Sequence, residues 1–120
     1  MSMETNPLSR LFVSMICRKA LQAHVLEKSN RDRINVYRVN GCWVAFDVSA
    51  YFVSRLVRGC DVSVLEFPDA VVASAELDDA CLDELKGKCR LLECGTGRMS
   101  FAAGLSRCGY RCWRAEQTAL

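Results

Sequence analysis

The sequence contains little proline and glycine, no long apolar run and no large excess of charge of one sign. Its two prolines and seven glycines exclude collagen-like and low-complexity chains, which are much richer in both residues. No segment approaches the ~20 apolar residues that a membrane-spanning helix requires, so we expect no membrane contact. The net charge of +2 is small, whereas nucleic-acid-binding domains usually carry a strong basic excess.

The N-terminal segment also lacks the order of features found in secretory signals. A signal peptide places basic residues before its apolar core and small residues after it. Here Glu4 precedes the apolar residues 11–17, and Arg18 and Lys19 follow them. We therefore expect a cytoplasmic protein whose eight cysteines are reduced thiols.

The cysteines are not spaced like the ligands of a structural zinc site. Cys89, Cys94, Cys108 and Cys112 form the tightest group. Zinc sites typically use cysteine pairs separated by two residues, because one tight turn then directs both sulfurs to the ion. Free cysteine otherwise behaves as a small apolar side chain. The pattern predicts buried structural thiols and no bound metal.

The sequence does contain enough apolar residues for one core, and its charges are segregated. The chain has 120 residues, 51% of them hydrophobic, with a mean hydropathy of +0.06, which is typical of a single domain, here residues 1–120. Residues 66–84 carry seven acidic and no basic side chains. We interpret this acidic block as a solvated face that neutralises basic neighbours. An alternative hypothesis is nucleic-acid binding through one of two arginine sets: Arg31, Arg33, Arg38 and Arg55, or Arg98, Arg107, Arg111 and Arg114.

Apolar residues at helical spacing from Leu8 to Leu26 predict a long N-terminal helix that covers a sheet. Pro7 suits its first position and Asn6 its cap. His24, the only histidine, lies near its end. We interpret His24 as a packing or solvent-facing residue rather than a general base, because the main role of this helix is to pack.

Residues 34–46 form the strongest local pattern, two β-rich runs around Asn40-Gly41. Asn-Gly is the preferred loop of a type I′ hairpin because both positions need positive φ. The implied register leaves one face partly apolar, and we expect another helix or a partner to cover it. The candidate interface for a protein partner or a second copy consists of Val36, Arg38, Trp43 and Ala45.

Residues 42–67 predict a strand, a helix capped by Asp47 and ended by Gly59, and a second strand. Such a β-α-β crossover usually joins parallel strands. Residues 76–86 predict an acidic helix, and one or two strands follow it. The predicted fold is therefore α+β, or a small α/β, with an N-terminal helix packed on a mixed sheet.

Residues 90–98 carry the one pattern with a chemical signature. A hydrophobic strand ends at Glu93, and Gly95 and Gly97 would let the backbone approach a ligand closely. The stretch resembles the first motif of class I S-adenosylmethionine-dependent methyltransferases, an acid-x-Gly-x-Gly loop followed by a helix and a strand. The resemblance implies a helix over 99–108, a strand over 110–113, and a cofactor site made of Glu93, Gly95, Gly97 and Glu116.

The same residues also predict a hairpin. Met99, Phe101 and Ala103 alternate with small or polar residues, so 89–94 and 98–105 would be antiparallel strands around a Gly-Thr-Gly turn. The sequence shows no nucleophile-base pair, no metal-spaced histidines and no phosphate-loop lysine. We therefore expect a non-catalytic binding or interaction domain without a cofactor. Binding of a nucleotide or S-adenosylmethionine at the glycine loop is the alternative.

Overall fold

The computed structural model describes residues 7–119, with side chains from Ile16 onward, and the predicted cap Asn6 lies outside this range. Within it, an α+β fold is formed by α1 (Pro7–Glu27), β1 (Arg33–Val39), β2 (Cys42–Phe46), α2 (Asp47–Leu56), β3 (Asp61–Phe67), β4 (Ala70–Leu77), α3 (Asp79–Lys88), β5 (Leu91–Cys94), β6 (Arg98–Ala102) and α4 (Tyr110–Thr118). The strands form one sheet in the order β3-β4-β2-β1-β6-β5, and all neighbouring pairs are antiparallel.

The Asn-Gly hairpin has the register that the sequence predicts. β1 and β2 pair Val39 with Cys42, and both Asn40 and Gly41 have positive φ. Side chains alternate along each strand, so this register divides the hairpin between the two faces of the sheet.

Helices of the same chain cover both faces of the sheet. α1 packs on one face, in a buried cluster that consists of Ile16, Ala20, Ala23, Tyr37, Val39, Val44, Phe46 and Val72. α2 and α3 cover the other face, where Val36 and Ala45 lie in the larger cluster with Phe52 and Leu85. α4 packs on the outer side of α2. The predicted packing of the N-terminal helix on the sheet is therefore confirmed.

The predicted crossover is present, but its strands are not neighbours. β2 and β3 run in the same direction because each pairs antiparallel with β4, which lies between them. The sheet is therefore antiparallel and not mixed. The sequence signal for β4 is weak because Ala70–Leu77 contains three alanines among its eight residues, and alanine has little preference for strands.

The acidic helix begins later than the sequence predicts. Residues 76 and 77, expected at its start, end β4 instead. α3 begins at Asp79, and the carboxylate of Asp78 caps it by accepting a hydrogen bond from the backbone N–H of Cys81 at 2.8 Å. This hydrogen bond lowers the pKa of Asp78. The cap, rather than the run of acidic residues, determines where the helix starts.

The C-terminal third contains the hairpin, not the helix and strand that the methyltransferase resemblance implies. β5 and β6 pair antiparallel around the glycines, and Tyr110–Thr118 is a helix. Met99 and Phe101 are buried, and their strand β6 pairs with β1. The alternation of apolar residues in this segment therefore places these two side chains on one face of the sheet. Tyr110 and Trp113, three residues apart, both contact the ring of Tyr51, which is the spacing of one helix face.

The prediction of buried thiols is wrong for most cysteines. All eight lie in the described residues and are free. Only Cys81 is buried, three are half-buried, and Cys42, Cys94, Cys108 and Cys112 are exposed. The exposed ones lie at the hairpin turn, on edge strand β5 and around α4, where no other element of the chain covers them.

Gly109, which precedes α4, has no room for a side chain. An added Cβ would overlap the hydroxyl oxygen of Tyr51. The backbone φ of −88° is ordinary for any residue, so the conflict is purely steric. We predict that Gly109→Ala lowers the free energy of unfolding by about 1–3 kcal/mol, measured by urea denaturation.

A double-mutant cycle tests this steric cause. In a Tyr51→Phe background the cost of Gly109→Ala should decrease, because the overlap with the hydroxyl is gone and only a tight 3.3 Å contact between the added Cβ and the ring remains. An equal cost in both backgrounds would show that the hydroxyl is not the obstacle.

Candidate functional site

A cleft of about 260 Å³ opens where α1 ends, α2 begins and α4 packs on α2. Three segments that are distant in sequence line it. They contribute His24, Glu27, Lys28, Asp47, Val48, Arg107, Tyr110, Arg111 and Arg114. Because five of these nine residues are histidine, lysine or arginine, we call it the basic cleft.

Helical spacing brings most of these side chains together. His24, Glu27 and Lys28 are three and four residues apart, and therefore share one face of the last turns of α1. Arg111 and Arg114 have the same spacing at the start of α4. Two short helical faces thus supply the basic cleft, and the loop before α4 adds Arg107.

Within the basic cleft, His24 is paired with the buried carboxylate of Asp47. His24 Nδ1 lies 2.6 Å from Asp47 Oδ2, and Asp47 Oδ1 accepts a hydrogen bond from the backbone N–H of Ala73 at 3.1 Å. The side chain of Asp47 is 4% exposed and that of His24 is 22% exposed. A carboxylate only accepts hydrogen bonds, so Nδ1 carries the hydrogen and Nε2 is left for a ligand.

Asp47 holds this position in a strained backbone conformation. Its φ is +49°, in the left-handed region that costs a residue with a Cβ roughly 1 kcal/mol, although Asp tolerates it better than most. Asp47 does not cap α2 as the sequence predicts; Phe46 occupies the cap position and α2 has no side-chain cap. The carboxylate instead joins α1 to β4, and strain of this kind is characteristic of functional positions.

Glu27 supports the basic cleft through a buried polar network. Its carboxylate is 1% exposed and accepts hydrogen bonds from the Ser49 backbone N–H (2.7 Å), the Ser49 hydroxyl (2.9 Å), Asn30 (3.1 Å) and Asn35 (3.0 Å). Burial raises the pKa of Glu27, although these hydrogen bonds act in the opposite direction. The network ties the end of α1 to α2 and β1, and so holds two walls of the basic cleft in place.

The cations of the basic cleft fall into two groups. Arg107 and Arg114 each donate a hydrogen bond to a backbone carbonyl, of Asn30 and Val71 respectively, both at 2.7 Å. Lys28 and Arg111 are exposed and contact no acceptor among the side chains and backbone that the structure describes. The anchored arginines therefore fix positive charge in the basic cleft, while Lys28 and Arg111 remain available to a ligand.

Tyr110 adds a neutral hydrogen-bond donor. Burial, together with the nearby carboxylate of Asp47, raises the pKa of Tyr110 to about 12. The Arg107 guanidinium lies 5.8 Å from the centre of the Tyr110 ring. The phenol thus stays protonated near neutral pH and can donate to an anion.

The charges of the basic cleft favour an anionic ligand. The basic cleft is lined by one lysine and three arginines but only two carboxylates, and one of these carboxylates is paired with His24. Arginine and lysine donors are well suited to phosphate and carboxylate groups. The arrangement can hold an anion beside the free nitrogen of an oriented histidine.

The residues predicted from the methyltransferase resemblance do not come together. Glu93 lies on edge strand β5 and forms an ion pair with Arg33, and Gly95 and Gly97 lie in the turn between β5 and β6. Glu116 is exposed on α4, which contacts β3 at the opposite edge of the sheet. Because a strand follows the glycines, no helix N-terminus faces this turn.

The predicted interface residues are divided between core and surface. Val36 and Ala45 are 0% exposed and packed against α2, so the covering element is a helix of the same chain. Arg38 is exposed and Trp43 is half-buried. Val36 and Ala45 are therefore not accessible to a partner of the folded chain.

The structure regroups the predicted arginine sets. Arg107, Arg111 and Arg114 share the basic cleft, whereas Arg98 lines a separate groove with Arg31 and Arg33. Arg55 lies apart from both, at the end of α2.

The sequence does not predict four functional residues of the basic cleft: Glu27, Lys28, Asp47 as the partner of His24, and Tyr110. The spacing of His24 and Lys28 on one helix face was a readable signal. No sequence signal predicts that α4 approaches the end of α1, because this approach depends on how the helices pack.

No helix in residues 7–119 is long and apolar enough to span a membrane. Among the side chains that the structure describes, no three histidine, cysteine, aspartate or glutamate residues cluster in a way that would hold a metal ion. No protein-family model, curated protein or solved structure matches this chain. Inference about function therefore depends on the chemistry of the basic cleft.

Proposed function

We propose that this protein is a binding domain for a phosphate-bearing ligand, and that the ligand occupies the basic cleft. The supporting observation is the convergence of Lys28, Arg107, Arg111 and Arg114 on one cleft of about 260 Å³. This proposal keeps the binding role predicted from the sequence and replaces the protein partner with a small anion or the phosphate group of a larger molecule.

Phosphate is favoured over carboxylate by the number and direction of the donors. A phosphate group has three or more acceptor oxygens, whereas a carboxylate has two. Lys28, Arg111 and Tyr110 come from two different helices, so they approach a ligand from different sides and match the larger acceptor set.

Calorimetric titration with inorganic pyrophosphate tests the proposal. We expect saturable binding, and we expect the double variant Lys28→Glu/Arg111→Glu to weaken it at least about tenfold, which is a loss of about 1.4 kcal/mol. Both side chains are exposed, so the variant should keep the stability of the parent within about 0.5 kcal/mol.

The matched control is Arg55→Glu/Arg58→Glu, which changes the net charge equally at a surface outside the basic cleft. It should retain pyrophosphate binding within about twofold, because charges that far from the ligand are screened by salt. Equal losses in both double variants, or no heat with about 10 mM pyrophosphate, would overturn the proposal.

A further inference from the structure

We infer that the basic cleft cleaves single-stranded RNA, with His24 as the general base that removes the proton of a ribose 2′-hydroxyl. This inference rests on the proposed phosphate site and adds a reaction to it. It is carried by the geometry of His24 and by the kinds of side chain that line the basic cleft.

His24 has the arrangement of an oriented general base. Its Nδ1 is held 2.6 Å from Asp47, which is itself held by the backbone N–H of Ala73. A base that accepts a proton at one nitrogen while a carboxylate holds the other keeps one tautomer and one ring orientation. A histidine that only filled space would not require a buried carboxylate in a left-handed backbone conformation.

The lining also indicates where the nucleophile comes from. The residues that line the basic cleft include no serine, threonine or cysteine, and the Tyr110 phenol stays protonated. A reaction at phosphorus therefore needs a nucleophile from the substrate or the solvent. RNA carries such a group, the 2′-hydroxyl, next to each phosphodiester, whereas DNA does not.

The reaction balances without a cofactor or co-reactant. His24 Nε2 takes the proton of the 2′-hydroxyl, O2′ forms a bond to phosphorus, and the bond from phosphorus to O5′ breaks. Tyr110 donates its proton to the departing O5′, and the imidazolium returns a proton to Tyr110 through water. The products are a 2′,3′-cyclic phosphate and a 5′-hydroxyl, and Lys28 and Arg111 stabilise the charge that builds up on phosphorus.

Cleavage of a 5′-labelled RNA oligonucleotide tests the inference, with a DNA oligonucleotide of the same sequence as the binding probe. We expect RNA fragments that end in a cyclic phosphate, and we expect His24→Gln to slow cleavage by at least about 100-fold. The glutamine amide can still donate to Asp47, so the variant should fold and bind DNA within about twofold of the parent. RNA methylated at the 2′-oxygens should bind without being cut.

The outcomes separate the two proposals. Oligonucleotides that bind but are never cut would overturn the RNA-cleaving role and leave the phosphate site intact. Absence of both binding and cleavage would overturn the RNA-cleaving role, whereas the phosphate site is overturned only if the pyrophosphate titration also shows no binding. Cleavage by His24→Gln at the parent rate would overturn the role of His24.

The role of Asp47 as a positioning residue has its own readout. His24 is the only histidine, so its side-chain ¹⁵N resonances are unambiguous. In the parent, the hydrogen should reside on Nδ1. In Asp47→Asn the amide can donate, which should move the hydrogen to Nε2 and lower kcat more than it changes KM. An unchanged tautomer and kcat in the folded variant would show that Asp47 is only structural.

Discussion

Replacing Glu27 with alanine is expected to lower the free energy of unfolding by about 3–5 kcal/mol, a large part of the stability of a domain of this size. The carboxylate accepts four hydrogen bonds while 1% exposed. Its removal leaves the backbone N–H of Ser49 and the amide of Asn35 in a closed interior without an acceptor, whereas Asn30 and the Ser49 hydroxyl still reach the carbonyl of Arg33. Each unsatisfied buried donor costs about 1–3 kcal/mol.

Urea denaturation of the two proteins gives the difference in unfolding free energy. Glu93→Ala is the matched control, because the carboxylate of Glu93 also has a partner, Arg33, but its side chain is 60% exposed. Its removal should cost less than about 1 kcal/mol, since surface ion pairs contribute little. A Glu27→Ala protein within about 1 kcal/mol of the parent would contradict the structural role of the network.

The contribution of Glu27 to the free energy of unfolding should decrease as the pH rises. Burial raises the pKa of this carboxyl in the folded protein above its ordinary 4.5, so protonation favours the folded state. The contribution of Glu27 is complete below pH 4.5 and decreases as pH rises through the folded pKa. The parent should therefore exceed Glu27→Ala in stability by more at pH 4.5 than at about pH 7.5.

Replacing Asp47 with alanine should cost about 2–4 kcal/mol of unfolding free energy. Three effects combine at this position. The buried N–H of Ala73 loses its acceptor, His24 loses its partner, and alanine must adopt a φ of +49°. Thermal denaturation followed by circular dichroism measures the loss.

Asp47→Gly separates the backbone effect from the lost contacts. Glycine loses the same two hydrogen bonds but adopts positive φ without a steric penalty. Asp47→Gly should therefore be more stable than Asp47→Ala by about 0.5–1 kcal/mol, despite the greater flexibility of glycine when unfolded. If alanine is the more stable of the two, the left-handed conformation of Asp47 is not under strain.

The elements that were predicted correctly are those whose signals are local. The hairpin around Asn40-Gly41 has the expected register because the turn itself requires positive φ at both residues. α1 ends at Glu27, before the polar turn, because the apolar spacing stops there. The sequence does not predict β4, because its alanines have little preference for strands and its strand character comes from pairing with the adjacent β3 and with β2, which is distant in sequence.

The candidate site was predictable only in part. Of the predicted set Arg98, Arg107, Arg111 and Arg114, the structure brings the last three into one cleft and places Arg98 in another groove. The assignment of residues 110–113 to a strand concealed the helical face that they share with Tyr51. The partner of His24 lies 23 residues away, at the start of another helix, where no local pattern connects the two.

By itself, the sequence determined the N-terminal helix, the Asn-Gly hairpin and a fold that combines helices with a sheet. These depend on backbone preferences and on apolar periodicity, both of which act over a few residues. Only the tertiary structure decided the strand order, the cover over Val36 and Ala45, and the assembly of the basic cleft. These depend on long-range packing and buried polar contacts, whose free energy arises only when segments far apart in the chain meet.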